Sequence, residues 1–217
     1  MKNRLNLALL SAVLFLVAGC AGRGAIYVQP AYTKETLPPL LVPEGRSVAI
    51  AVATFEDGRP IKDKIGLRRS FGGQTDSIQY GGPSLEEMVT RALASQLKRS
   101  GFDPQAVSSW DLRKETMPKL TQDYLFGGRL DYFWAEVTSG WSGTNARVRV
   151  EVTVILASPK EGRVLWQNSI LSSSELRELF FSNEELQDAV SSAFSTAMNR
   201  ILRNPELQEI IGKSKPR

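Results

Sequence analysis

Residues 146–156 read ARVRVEVTVIL, with Val148, Val150, Val152, Val154 and Leu156 alternating with Arg147, Arg149, Glu151 and Thr153. Successive side chains of an extended chain point to opposite faces, so this period of two describes a strand with one buried face and one wet face. On its N-terminal side, residues 124–137 are rich in aromatic and branched side chains, and Thr138-Ser139-Gly140 with Gly143-Thr144-Asn145 marks a turn. On its C-terminal side, residues 159–162 turn the chain again and residues 163–171 repeat the alternation through Val164, Trp166 and Ile170. Connections this short imply antiparallel neighbours, hence a three-stranded meander.

A helix is predicted on each side of the meander. Ser84 followed by Glu87 forms a capping box. Leu85, Met88, Val89, Ala92, Leu93 and Leu97 then recur on one face, and Gly101 supplies a left-handed stop. Ser182 with Glu185 opens a second helix whose stripe runs through Leu186, Ala189, Val190, Ala193, Phe194, Ala197, Met198, Ile201 and Leu202, up to Asn204-Pro205. A short last helix is expected over residues 206–211. Residues 47–55 (SVAIAVATF) are apolar on both alternating faces, the pattern of a central strand covered on both sides. They stop at a turn cluster, residues 56–60. The glycine-rich residues 61–82 read as a long loop or irregular hairpin. The expected fold is α+β: a two-layer, mainly antiparallel sheet of about four strands with two helices packed on one face, in the order β-α-β-β-β-α.

The N-terminus carries a different kind of information. Lys2 and Arg4 precede an apolar run over residues 5–17, which is the layout of a cleaved secretory signal and is shorter than the roughly 20 residues a membrane span needs. Val17-Ala18-Gly19-Cys20 resembles the lipobox of bacterial lipoproteins, where cleavage falls between Gly19 and Cys20 and the cysteine is acylated. Cys20 is the only cysteine among the 217 residues. Residue 21 is alanine rather than the aspartate that retains lipoproteins on an inner membrane, so outer-membrane attachment is expected, with the domain facing the periplasm. Residues 1–19 are read as signal and residues 20–45, with Pro30, Pro38, Pro39 and Pro43, as a lipidated tether. Residues 26–28 within the tether could pair as a short edge strand. A single domain is expected over 46–213, followed by a tail at 214–217.

Composition narrows the chemistry. The sequence has no histidine, which removes the commonest general base and the commonest metal ligand. Lipid consumes the one thiol. Removing residues 1–19 lowers the formal charge from +4 to +2 with both signs interspersed, so no nucleic-acid partner is implied. No cofactor, metal or catalytic residue is expected. Ser95-x-x-Lys98 lacks the companion motifs of serine-lysine acyl enzymes, and Gly212-Lys213-Ser214 lacks the upstream glycine of a phosphate loop. Glu56 and Asp57 read as turn formers. The candidate partner-binding residues are Arg68, Arg69 and Phe71 in the long loop, Arg147 and Arg149 on the wet strand face with Glu151, and Trp141 at the meander turn, with Trp134 beside it.

Residues 48–59 (VAIAVATFEDGR), 96–102 (QLKRSGF), 146–156, 183–190 (NEELQDAV) and the tail 207–213, in this order behind a lipobox, resemble the YajG-like family of bacterial lipoproteins. The resemblance implies an outer-membrane lipoprotein with no catalytic residues to carry over. The fold order also looks like that of auxiliary lipoproteins of lipid-transporting ABC systems and of lipoproteins that activate peptidoglycan synthases. Two functions follow as expectations. The first is a membrane-anchored, non-enzymatic module that binds an envelope protein or complex. The second is an amphiphile carrier in a lipid-transport system, which requires an apolar pocket between helix and sheet. The oligomeric state is left open.

Overall fold

The computed structural model describes residues 24–32 and 48–212. Its elements run β1 (Ala25–Val28), β2 (Ile50–Ala53), β3 (Glu56–Asp57), β4 (Gly66–Arg69), β5 (Thr75–Tyr80), α1 (Leu85–Arg99), β6 (Gln105–Val107), a 3-10 turn at Lys114–Thr116, β7 (Tyr124–Gly140), β8 (Gly143–Ser158), β9 (Arg163–Glu178), α2 (Asn183–Leu202) and α3 (Pro205–Gly212). The meander is present in strands of 16 to 17 residues, and both capped helices form where the stripes place them. The Ser84 hydroxyl accepts from the Glu87 N–H, the Ser182 hydroxyl accepts from the Glu184 and Glu185 N–H groups, and Gly101 takes φ 89°.

The expected layout of four strands and two helices is too small. The described residues contain nine strands in one curled sheet and three helices. β7 is the axis of this sheet. One of its edges pairs antiparallel with β8 along its length. Its other edge is covered in turn by β2, β3 and β4, all parallel to it. β6 lies parallel outside β2, while β5 and then β1 lie outside β4. The sheet is therefore mixed rather than mainly antiparallel. The extra strands are short, and they are extended because a neighbouring edge offers unpaired N–H and C=O groups, that of β7 for β3 and β4, of β4 for β5, of β5 for β1 and of β2 for β6, not because of intrinsic propensity. Of the two readings of residues 61–82, long loop or irregular hairpin, the structure takes the second, the antiparallel β4–β5 hairpin, and β3 stands in the predicted turn cluster.

The core lies between the sheet and the helices. The inward residues Val148, Val150, Val152, Val154 and Leu156 pack with Leu93, Leu97, Phe194, Met198, Ile201 and Leu207 in one cluster. A second, smaller cluster on the opposite face joins Ala51, Ala53, Leu125, Ile155 and Ala157 to Trp110. β2 is thus covered on both sides, as its unbroken apolar run requires: Ile50 and Val52 belong to the first cluster, Ala51 and Ala53 to the second. Gly66 marks the closest approach of β4 to β7, since a Cβ there would lie 2.1 Å from the Ala135 carbonyl oxygen.

β1 is the edge strand glimpsed within the expected tether. The residues after it dock on α2: the Gln29 N–H donates to Gln187 (2.9 Å) and the Ala31 N–H to Ser191 (3.1 Å). This arm explains why Ser191, Ser195 and Asn199, outside the apolar stripe of α2, are buried.

Candidate functional site

The outer face of β7, β8 and β9 carries the wet half of each alternation, and the register sets its side chains in cross-strand rows. Glu136, Arg147 and Glu175 stand opposite one another, as do Thr138, Asn145 and Arg177, then Trp134, Arg149 and Ser173, then Tyr132, Glu151 and Leu171. Arg147 donates from Nε to Glu175 at 2.7 Å, Arg177 donates to Asn145 at 3.0 Å, and Ser169 donates to Glu151 at 2.8 Å. Two adjoining depressions follow these rows. The larger, of about 650 Å³, is lined by Glu136, Thr138, Asn145, Arg147, Glu175 and Arg177. The smaller, of about 110 Å³, adds Tyr132, Trp134 and Arg149. Three arginines and three glutamates make the face polar and close to neutral, and Tyr132, Trp134 and Leu171 give it an apolar margin.

The sequence-derived candidates separate into two places. Arg147 and Arg149 lie on this outer face with Glu151 and the half-buried Trp134. Arg68, Arg69, Phe71 and Trp141 gather instead at one end of the sheet. Arg68 and Arg69 belong to β4 rather than to a loop, and Phe71 occupies the turn after it. Its ring meets Trp141 edge-on at 4.6 Å. Arg68 lies 3.5 Å from Asp76 and stacks over the Phe181 ring at 3.9 Å. Trp134 and Trp141 therefore do not form a pair. Cys20 and Gly19 lie outside the described residues. Tyr132, Glu136, Glu175 and Arg177 were not singled out from the sequence; the alternate positions on the neighbouring strands were the available signal.

Two further polar clusters are structural. Gln96, fully buried on α1, donates to the Tyr32 hydroxyl and to Asn199 Oδ1 of α2 at 2.9 Å, fixing the arm between the two helices. Asp57 and Arg59 form a buried pair at 2.8 Å. Ser95 and Lys98 are both exposed. Among the described residues no cluster of three His, Cys, Asp or Glu could hold a metal ion, and no helix is long and apolar enough to cross a membrane.

No protein-family model matches this chain, and no curated protein does. Several solved structures are similar at a distance. A DUF330 protein from Xanthomonas campestris is 14% identical, covering 87% of this chain and 92% of that one with a TM-score of 0.48. A neuraminyllactose-binding hemagglutinin homolog from Helicobacter pylori is 11% identical over 86% and 97%, with a TM-score of 0.49. A minor lipoprotein from Acinetobacter baumannii is 12% identical over 69% and 94%, with a TM-score of 0.38. None of these likenesses fixes a family or an activity, and the YajG-like assignment rests on the sequence segments alone.

Proposed function

We propose that this chain is a non-enzymatic outer-membrane lipoprotein, anchored through acylated Cys20, whose outer β7–β9 face docks an envelope protein on the periplasmic side. The observation that carries the docking is the grooved row of Glu136, Arg147, Glu175 and Arg177 beside Tyr132 and Trp134. Charges of both signs in fixed register give orientation and selectivity, and the aromatic margin gives contact area. The amphiphile-carrier reading needs an apolar pocket between the layers. The described interlayer is filled by Phe126, Val150, Val190, Phe194 and Met198, all buried, so the docking module is better supported.

The anchor is tested by Cys20→Ser, which should leave the circular dichroism spectrum unchanged and move the protein from membrane pellet to supernatant after detergent-free lysis. Retention in the pellet of a Cys20→Ser protein from which residues 1–19 have been removed would refute the anchor. The docking face is tested by a photocrosslinker at position 173 in intact cells. A discrete adduct is expected with the wild-type face and should disappear when Arg147 and Arg149 are both changed to glutamate. The Arg147–Glu175 pair is solvent-exposed and contributes about 0–1 kcal/mol, so the double variant should stay folded. An adduct that survives the charge reversal would count against the proposal.

A further inference from the structure

The register places six strand termini at one end of the sheet. β7 finishes and β8 starts there at Gly140↔Gly143, β9 finishes beside them at Thr144↔Glu178, and β4 finishes at Arg69↔Thr138. β5 begins at Thr75↔Arg69, and β1 begins at Ala25↔Ser77. The crowding is direct: Gly143 has φ 119°, and a Cβ on it would lie 2.4 Å from the Glu178 carbonyl oxygen. This end holds the three most exposed large apolar side chains among the described residues: Trp141 at 93%, Phe180 at 82% and Leu179 at 76%. Phe71, at 56%, lies against Trp141.

The connections at this end carry no charge; the charged side chains beside them, Arg68 with Asp76, Arg69 and Glu178, belong to the strand termini. Residues 70–75, 137–146 and 179–183, which form its three connections, contain no Asp, Glu, Lys or Arg. The opposite end is charged, with Lys160 and Glu161 in the β8–β9 turn, Lys160 paired with Asp123, and Asp111, Arg113, Lys114 and Glu115 nearby. Soluble surfaces seldom concentrate apolar side chains at one pole in this way. Aromatic residues on uncharged turns are characteristic of the membrane–water interface, where an apolar ring and a polar backbone are both accommodated.

The first described residue also leaves from this end. Gly24 donates its N–H to Asp76 at 3.2 Å, and its carbonyl accepts from the Ser77 N–H at 3.1 Å, beside the β4–β5 turn. Gly24 lies four residue steps from Cys20, a reach of at most about 14 Å. We propose that this pole is a membrane-seating surface. On the acylated-anchor reading, on which it rests, Trp141, Phe180, Leu179 and Phe71 enter the headgroup layer of the leaflet that holds the lipid on Cys20. The β7–β9 strands then rise away from the bilayer, and their outer face stays accessible to a partner.

The test uses the full-length protein, processed in cells, purified in detergent and reconstituted into phosphatidylethanolamine–phosphatidylglycerol vesicles containing brominated acyl chains. Tryptophan emission should be quenched by the bromolipid. Trp141→Phe should remove most of that quenching, whereas Trp134→Phe should leave it. Leu179→Ser with Phe180→Ser, on exposed side chains, should cut it by about half by lifting the pole from the interface. Acylated protein whose quenching is indifferent to Trp141 overturns the seating surface and leaves the anchor standing. An unmodified Cys20 in the mass spectrum of the same sample overturns both. Loss of a detergent-stable oligomer in the Leu179, Phe180 variant, with no bromolipid quenching in the wild type, shows a contact between copies and also overturns it.

Discussion

Replacing Arg59 with alanine is expected to lower the unfolding free energy by about 3–5 kcal/mol, the cost of removing one partner of a buried ion pair. The side chains of Arg59 and Asp57 are 4% and 8% exposed. The guanidinium grips the carboxylate with two donors, Nε at 2.9 Å and Nη2 at 2.8 Å, and it also donates to the carbonyls of Lys64 (3.1 Å) and Lys62 (3.4 Å). Alanine would leave a buried carboxylate and two carbonyls without these donors, and it would release the segment that leads from β3 to β4. Arg59→Lys should recover only part of the loss, because an ammonium cannot reproduce the fork. Urea denaturation followed by circular dichroism measures the effect, and a midpoint equal to that of the wild type would refute it.

The pH dependence of that difference has a definite sign. Burial pushes the Asp57 carboxyl up, but hydrogen bonds from the Arg59 side chain and backbone, with its charge, outweigh burial and hold the group below its ordinary 3.8. A depressed carboxyl contributes stability that is fully present above the unfolded value and is lost as pH falls through the folded value. Wild type should therefore weaken below about pH 4. In Arg59→Ala the side-chain hydrogen bonds and the guanidinium charge are gone and only the residue-59 N–H and the Lys62 charge still oppose burial, so protonation relieves the variant first and its deficit should shrink as the solution is acidified.

The parts of the fold legible in the sequence are those whose cause is local. Caps at Ser84 and Ser182 and the stripes through Leu93 and Phe194 follow from helix geometry. Residues 50–53 declared both of their faces because every position is apolar. β3 and β6 were not legible, and β4 and β5 only as one of two readings of residues 61–82, since Glu56-Asp57 becomes strand only when β7 supplies a paired edge and Thr75-Asp76-Ser77 only when β4 does. Gln96 and Asn199 are buried because the arm around Tyr32 covers a flank of the helices that their own spacing marks as polar. The candidate site was half legible. Arg147 and Arg149 sit where the period of two puts them. The meeting of Phe71 with Trp141 depends on β4 lying parallel to the end of β7, a contact across 70 residues that no periodicity encodes. Leu179-Phe180-Phe181, an apolar run between Glu178 and Glu184, was a visible signal for an exposed apolar end.

Phe194→Ala is expected to cost about 3–5 kcal/mol, the range for emptying a buried phenylalanine site, while Ser192→Ala on the exposed side of the same helix should stay within about 0.5 kcal/mol. Phe194 is fully buried. Its ring lies 6.4 Å from Phe133 of β7 on one side and 6.4 Å, edge-on, from Tyr32 of the arm on the other. It thereby joins α2 both to the sheet and to the arm that follows β1. The cavity should loosen the arm before the sheet, because the arm is held to α2 by a few hydrogen bonds around Gln29, Ala31 and Tyr32, whereas β7 remains paired along both edges. Hydrogen exchange should then rise first at the Gln29 and Ala31 amides, with the β7–β8 ladder protected until global unfolding. Equal acceleration at both places would mean that the arm and the sheet open as one unit, and a loss under about 1 kcal/mol would mean that Phe194 does not bridge them.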